Sequence, residues 1–477
     1  MRHALAGLLL SAACAVNPAT GERQLMLVSE GQEIAMGSEA DPQVMAQYGL
    51  YPDSALQRYV RGLGQRLAAA SERPHLPWTF RVVDDPVINA FALPCGFVYV
   101  TRGILGYFNS EAELASVLGH EIGHVTARHS ASQMSQQQLA QVGLVAGLAV
   151  APQLERFAGI AEASLGLLFL KFSRDDERQA DELGLRYLTR GRYDAREMPK
   201  VFAMLASVSQ AEGGDGGGLP SWLSTHPDPV DRQNRITQMI AALPPDSAGR
   251  TVNRSEYLRQ LGGMVLGANP REGFFAGQTF SHPNLRFRLS FPEGWRTANQ
   301  RAAVVGQSPS GDALLELKLS NATSPEAAVQ AFLGQQGITA GQPTRFQNRR
   351  GMAASHADFE VTTGQARLAG SVWAVRYNQQ VYRIMAVATE ARWPAYQPLA
   401  TSTFDSFSPL TDAAALAVQP LRLEIVTLDR GMTFGEFNQR YPSQVPLDVV
   451  AQINQVRPPD RLAAGQLVKR VVGGPLP

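Results

Sequence analysis

Leu114, Leu118, Ile122 and Val125 recur at the three- and four-residue spacing of a helix that buries one face. Ser110 precedes this run and Glu113 stands three residues on, a capping-box pattern that starts the helix there. Leu56, Val60, Leu63 and Leu67 predict another amphipathic helix over Ala55–Ser71. Phe80–Val83 and Phe97–Thr101 read as short strands, and Asn89-Ala90-Phe91-Ala92-Leu93-Pro94 leads into the second. Ser173 opens a later helix on which Glu177, Asp181 and Leu185 share a face. Leu139–Pro152 and Leu165–Phe172 are apolar runs. The first has Gly143 and Gly147 four apart and predicts a buried, closely packed helix, too short to span a bilayer.

Gly213–Gly218 reads as a flexible loop, followed by a helix over Val230–Ala241. Pro244 and Pro245 end this helical region, and a short helix near Ser255–Leu261 packs back on it. From Phe280 the period changes to two. Leu285, Phe287, Leu289 and Phe291 alternate, Pro292–Trp295 turns, and Leu315, Leu317 and Leu319 make another strand. Ser324-Pro325 opens a helix, and Val372–Tyr377 with Val381–Val387 predicts a hairpin. His282 and His356 stand alone there and read as surface or turn residues. Leu423–Leu428, a helix from Gly431–Phe434, the helix Leu447–Asn454 and a strand from Gly465–Lys469 give a closing βααβ unit. The fold class is therefore α+β, with a mainly helical first region carrying a small edge sheet. Four segments are expected: a leader at 1–14, a mainly helical domain at 25–270, an accessory α+β domain at 274–410 and the βααβ unit at 420–473.

The chain has 477 residues, too many for one core, and 44% are hydrophobic against 18% charged, so it is globular. A net charge of +1 gives no drive toward nucleic acid. The two cysteines, Cys14 and Cys95, form no disulfide framework, since Cys14 belongs to the leader. Arg2 and His3, then the apolar run Ala4–Leu10, then small residues read as a secretory signal. Ser11-Ala12-Ala13-Cys14 resembles a bacterial lipobox, which would lipidate Cys14, although Ser11 stands where an aliphatic residue is usual. Ordinary signal cleavage is the alternative. Val16–Arg23 then reads as a short tether.

The chemistry centres on His120-Glu121-Ile122-Gly123-His124. On one helix His120 and His124 lie a turn apart and point the same way, so two imidazoles can share a zinc ion. Glu121 stands alongside to take a proton from water. His129 falls one residue short of the metzincin position, and Ala127 holds the place of its glycine. On a continuous helix it points away from His120, onto the stripe with Leu118, Ile122 and Val125, and reads as a structural histidine. The third ligand must come from elsewhere. An inward carboxylate on the helix after Ser173 would complete the site, and Asp181 would suit orienting a ligand histidine. Asp175, Asp176 and Glu182 are also acidic, and a charged helix start explains them equally well, so spacing alone does not choose. Asn89 and Ala90 are candidates for pairing with extended substrate backbone, although Asn89 would also shape a turn.

HEIGHVTARH followed by SRDDERQAD closely resembles the HtpX-type and BepA-type zinc metallopeptidases, relatives of the CAAX-prenyl protease. Asn89–Leu93 is similar to the family's substrate strand, with Cys95 in place of a usual glycine. The resemblance covers roughly residues 25–270. It implies a gluzincin-type zincin holding one zinc ion (Zn2+) by His120, His124 and Glu177, with Asp181 behind a ligand. Ser224-Thr225-His226-Pro227 and Arg232 match a further family motif, which implies that His226 and Arg232 sit at the active site and stabilise the oxyanion. His226 would then also fill the open zinc position at rest; capping the next helix is its alternative role. The glycine loop would let His226 swing, a gate that is lost if shortening Gly213–Gly218 leaves cleavage unchanged. The resemblance is to the soluble periplasmic branch, and implies an endopeptidase of misfolded or misassembled envelope proteins, lipid-anchored to the outer membrane. Residues 274–410 faintly resemble Mog/PsbP-type folds, and 420–473 resembles a LysM domain, which binds glycan chains such as peptidoglycan. An envelope chaperone or cell-wall adaptor, with proteolysis secondary, is the rival reading.

Overall fold

The computed structural model describes residues 14–144, 172–213, 226, 228–244, 251–362 and 367–474. The predicted gate loop and most of the two apolar runs at 139–152 and 165–172 lie outside these residues, as does the signal segment at 1–13. In the first unit, Ser29 opens α1 (Glu30–Tyr48) with a full capping box to Gln32. Asp53 caps α2 (Ser54–Ala69), whose Leu56, Val60, Leu63 and Leu67 are buried as the spacing predicts. Strands β3 (Thr79–Val83), β4 (Ala90–Leu93) and β5 (Phe97–Thr101) form a sheet in the order β3-β5-β4, with β4 on an edge. β5 pairs in parallel with β3 and antiparallel with β4.

Helix α3 (Glu111–Thr126) follows and is buried along its whole length. Ser110 caps it by accepting from Glu113 N, as expected. The reciprocal half of the box is different: Glu113 Oε2 accepts from Asn109 N at 2.9 Å, one residue before the cap. Helices α4 (His129–Leu144), α5 (Arg174–Arg190), α6 (Met198–Gly213), α7 (Pro229–Ala241) and α8 (Arg254–Gln260) follow along the chain. No helix among the described residues is long and apolar enough to cross a membrane.

The expected tether is instead a small hairpin, in which β1 (Cys14–Val16) pairs with β2 (Arg23–Leu25). Asn17 explains the order. Its Oδ1 accepts from Ala19 N and its Nδ2 donates to Ala127 O, so the turn is closed locally and pinned to the end of α3.

Leu421–Gly473 belongs to the same compact unit as the residues up to Ala268. The predicted βααβ order is present: strands Arg422–Thr427 and Leu467–Val472 pair around helices Phe434–Arg440 and Leu447–Asn454. Leu423, Ile453, Leu467 and Val471 join the same apolar cluster as the residues of α2 and α3. Lys469, fully buried, donates through Nζ to Gly106 O and Phe108 O, and Gln455 Nε2 donates to Glu113 Oε2. Both contacts fall at the start of α3.

The second unit, Asn269–Pro420, is built on an antiparallel sheet whose centre is Ala353–Thr362, Arg367–Tyr377, Gln380–Thr389 and Ala313–Ser320, in that order. The predicted hairpin is its middle pair. Ser324 caps the helix Pro325–Leu333, as its Ser-Pro start requires. His282 is a turn residue there: its Nδ1 accepts from Leu285 N. Burial, aided by Arg271, pushes this imidazole down to about 4. The folded state thus resists protonation that the unfolded chain accepts near pH 6.5, so stability is lost as pH falls from about 6.5 toward 4. His282→Gln is expected to remove this loss, gaining on the order of 2 kcal/mol over wild type at pH 4.5 and nothing at pH 8. Urea unfolding of both proteins at the two pH values checks it.

Candidate metal centre

Glycine brings α3 and α5 together. A Cβ on Gly123 would lie 2.9 Å from Ala180 O, and one on Gly184 would lie 3.1 Å from His120 N. α3 and α5 therefore touch backbone to backbone, and the side chains at one end of that contact converge. The free energy for this comes from the apolar stripes on either side, including Leu118, Ile122, Leu183 and Leu188, all nearly fully buried.

His120 and His124 share a face of α3 as predicted, with ring centroids 4.6 Å apart. Their Nε2 atoms are 3.0 Å apart. Glu177 points in from α5, its Oε1 lying 3.4 Å from His124 Nε2 and its Oε2 3.6 Å from His120 Nε2. His226 completes the group, with Nδ1 3.3 Å from His120 Nε2 and 2.8 Å from Glu177 Oε1. All four are buried and offer ligand atoms within 4.8 Å of one another. Bonds of ~2.0–2.1 Å to zinc put tetrahedral ligands about 3.3 Å apart, so these separations and this donor set fit that ion. Among the acids of α5, Glu177 and Asp181 face inward, while Asp175 and Glu182 are exposed.

The surroundings fix the protonation the ligands need. Burial, then Arg232, holds the His120 imidazole at about 3, and so neutral. Burial alone would raise Glu177, but His226 and Arg232 outweigh it and hold the carboxylate well below its usual range. Asp181 Oδ1 lies 3.0 Å from His120 Nδ1, behind the ligand as expected. Arg232 Nε and Nη2 grip Asp181 at 2.9 and 2.6 Å, and Nη1 lies 2.8 Å from Glu177 Oε2. Its guanidinium thus sits on the two carboxylates. His226 stands just before α7, whose N-cap Asp228 makes no side-chain cap bond, and its Nδ1 reaches Glu177 in the site.

Glu121 is 1% exposed, and its Oε1 has no hydrogen-bond partner among the described residues. It lies 3.7 Å from His226 Nε2. Burial lifts its carboxyl to about 7, the range of a working general base. Asn89 and Ala90 stand at the start of the edge strand β4. Asn89 is also tied to β5, since Thr101 N donates to its carbonyl.

Residues 54–240 match peptidase family M48. The chain carries a peptidase family M48 domain. The chain is 35% identical over 224 residues to a beta-barrel assembly-enhancing protease of Yersinia pestis, covering 44% of this chain and 45% of that protein. Its Escherichia coli (strain K12) counterpart is 33% identical, with 44% of this chain and 45% of the relative covered. The mitochondrial metalloendopeptidase OMA1 of Arabidopsis thaliana is 38% identical over 36% of this chain and 33% of its own. The chain thus spans less than half the length of these relatives. A cyanobacterial PsbP solution structure is 13% identical over 28% of the chain and 91% of its own length, but a TM-score of 0.24 carries no argument.

Sequence reasoning missed His129. α3 ends at Thr126, and Arg128 takes a left-handed φ of 61°, so His129 is turned back toward the site. Its Nδ1 lies 2.9 Å from His124 Nδ1. No glycine or proline marks the break, which is why a continuous helix was the natural expectation.

Proposed function

We propose that this chain is a zinc-dependent endopeptidase of the cell envelope. The observation that carries the reading is the buried set His120, His124, Glu177 and His226, with the base Glu121 beside it. Zinc bound there supplies the Lewis acidity that makes a water nucleophilic near neutral pH. Glu121 takes the proton from the attacking water and hands it to the departing amine. Asp181 fixes His120 by accepting from its second ring nitrogen, and Arg232 holds Asp181 and Glu177 ionised and in place. His226 would be a further holder of the metal at rest. Released for substrate, its ring would donate to the negative oxygen of the tetrahedral state, with the Arg232 charge adding to that field from the two carboxylates it grips. Extended substrate backbone adds to β4 beside Asn89 and Ala90, an edge strand that pairs only with β5 among the described residues.

The relatives' names speak of beta-barrel assembly, and we extend that setting to this chain: its substrates are misfolded or misassembled envelope proteins in the periplasm. Lipidation at Cys14 anchors it to the outer membrane, and the hairpin that begins at Cys14 then keeps the anchor close to the catalytic unit. The βααβ module is the part that would meet peptidoglycan.

Metal retention tests the ligand set. Glu177→Ala is expected to lose stoichiometric zinc and all casein cleavage, whereas Asp175→Ala keeps both, because Asp175 is exposed. Zinc retained by Glu177→Ala would remove that residue from the set.

A further inference from the structure

His124 has two ring nitrogens, and only one faces the metal centre. Its Nε2 lies among the other ligand atoms, 3.0 Å from His120 Nε2 and 3.4 Å from Glu177 Oε1. To bind a cation that nitrogen must present its lone pair, so Nδ1 carries the proton. That proton has one direction to go: His129 Nδ1, at 2.9 Å. His129 must then accept at Nδ1 and carry its own proton on Nε2. The structure supplies the matching acceptor, since His129 Nε2 lies 2.9 Å from Gln179 Oε1. Asn17 Nδ2 donates to the same Gln179 oxygen at 3.2 Å. Each group thus has one consistent role: the two imidazole protons point outward from the site, and the Gln179 oxygen accepts from His129 on one side and Asn17 on the other.

We propose that His129 is a positioning residue for the metal ligand His124, and that Gln179 and Asn17 fix its tautomer from behind. His120 has its orienting partner in Asp181; His129 is the counterpart for the second histidine. The chain is built to put it there. The left-handed Arg128 is an uncommon backbone state for a residue with a side chain, and it is held by two hydrogen bonds. Arg128 Nε donates to Glu33 Oε1 at 2.9 Å, and Nη2 donates to Val28 O at 2.7 Å. Without that kink, a continuous helix would carry His129 round to the opposite face. His129 itself is 3% exposed, and Asp176 Oδ1, 3.6 Å from its Nε2, adds a second acceptor on the side of Gln179.

The proposal rests on the zinc reading above, and its test separates the two. Full-length wild type, His129→Leu, His129→Asn and Gln179→Ala are compared by zinc competition against a chelator and by the visible spectrum of the cobalt(II) form. Thermal unfolding of the metal-free proteins is followed alongside. Loss of an orienting partner is expected to weaken zinc binding in His129→Leu by about 10- to 100-fold and to shift the cobalt bands. The metal-free midpoint should stay close to wild type. His129→Asn, whose Oδ1 can accept in place of Nδ1, should recover most of the affinity, and Gln179→Ala should fall between. Zinc affinity within about threefold of wild type in His129→Leu overturns the proposal, because an orienting partner is worth more than that. So does equal loss in Leu and Asn variants together with a collapsed metal-free midpoint, the mark of a purely structural histidine. If His129→Leu does not fold, Gln179→Ala decides, and unchanged affinity there overturns it. A wild type that takes up no zinc overturns the zinc reading itself.

Discussion

Glu121→Gln is expected to keep zinc bound and to lower casein cleavage by about 10²- to 10⁴-fold, the usual worth of a general base. The substitution keeps the side chain's volume in a site where it is 1% exposed, so the packing around it is preserved. What it removes is basicity. Burial lifts the Glu121 carboxyl to about 7, which lets it both take and return a proton near neutral pH. An amide can do neither. Glu121 Oε1 has no hydrogen-bond partner among the described residues, so no hydrogen bond is lost at that atom. Zinc content and cleavage rate, measured on the same preparation, check the prediction. Near-wild-type cleavage would exclude Glu121 as the base. A biological phenotype that survives the change intact would make binding, and not proteolysis, the main function.

Ending the chain after Pro420 is expected to leave an unstable catalytic unit, and not a shortened working enzyme. Leu423, Ile453, Leu467 and Val471 are buried in the cluster that also contains Leu114 and Leu118 of α3. Burying each such side chain stabilises by about 1.5–3 kcal/mol, so the four together contribute roughly 6–12 kcal/mol as an upper figure. That is comparable to the whole stability of a domain, about 5–15 kcal/mol. The truncation also strips polar partners from the start of α3. Gly106 O and Phe108 O lose the Lys469 Nζ donor, and Glu113 loses Gln455. Lys469→Met, which keeps the stem but removes the donors, should reproduce part of the loss. Soluble yield, unfolding midpoint and zinc content report the outcome. A 1–420 chain that unfolds at the wild-type temperature and cleaves casein normally would make the βααβ module an appended spacer.

The apolar period located α2, α3, α5 and the hairpin of the second unit; α2 and α5 bury one face with a regular spacing, whereas α3 and the hairpin strands are buried on nearly every side. The HExxH pair was legible for the same reason, since i and i+4 on a helix must converge. The choice of Glu177 over Asp175 and Asp176 was not legible from charge. It depends on which side of α5 meets α3, and that is set by the close approach at Gly123 and Gly184. His129 was misread because a left-handed Arg128 has no local signature; its cause is Glu33, far back in the sequence. The same holds for the hairpin in place of a tether at Val16–Arg23. Asn17 gains its partners, Ala127 O and Gln179, only once the chain is folded. Long-range polar contacts of this kind carry no period.

The account stands on one cation held by His120, His124 and Glu177, and the most direct test is the metal content of the purified full-length chain. Mass-spectrometric metal analysis after exposure to zinc and removal of the excess should find one zinc per wild-type chain and almost none in Glu177→Ala. A folded wild-type chain that retains no stoichiometric zinc would contradict it.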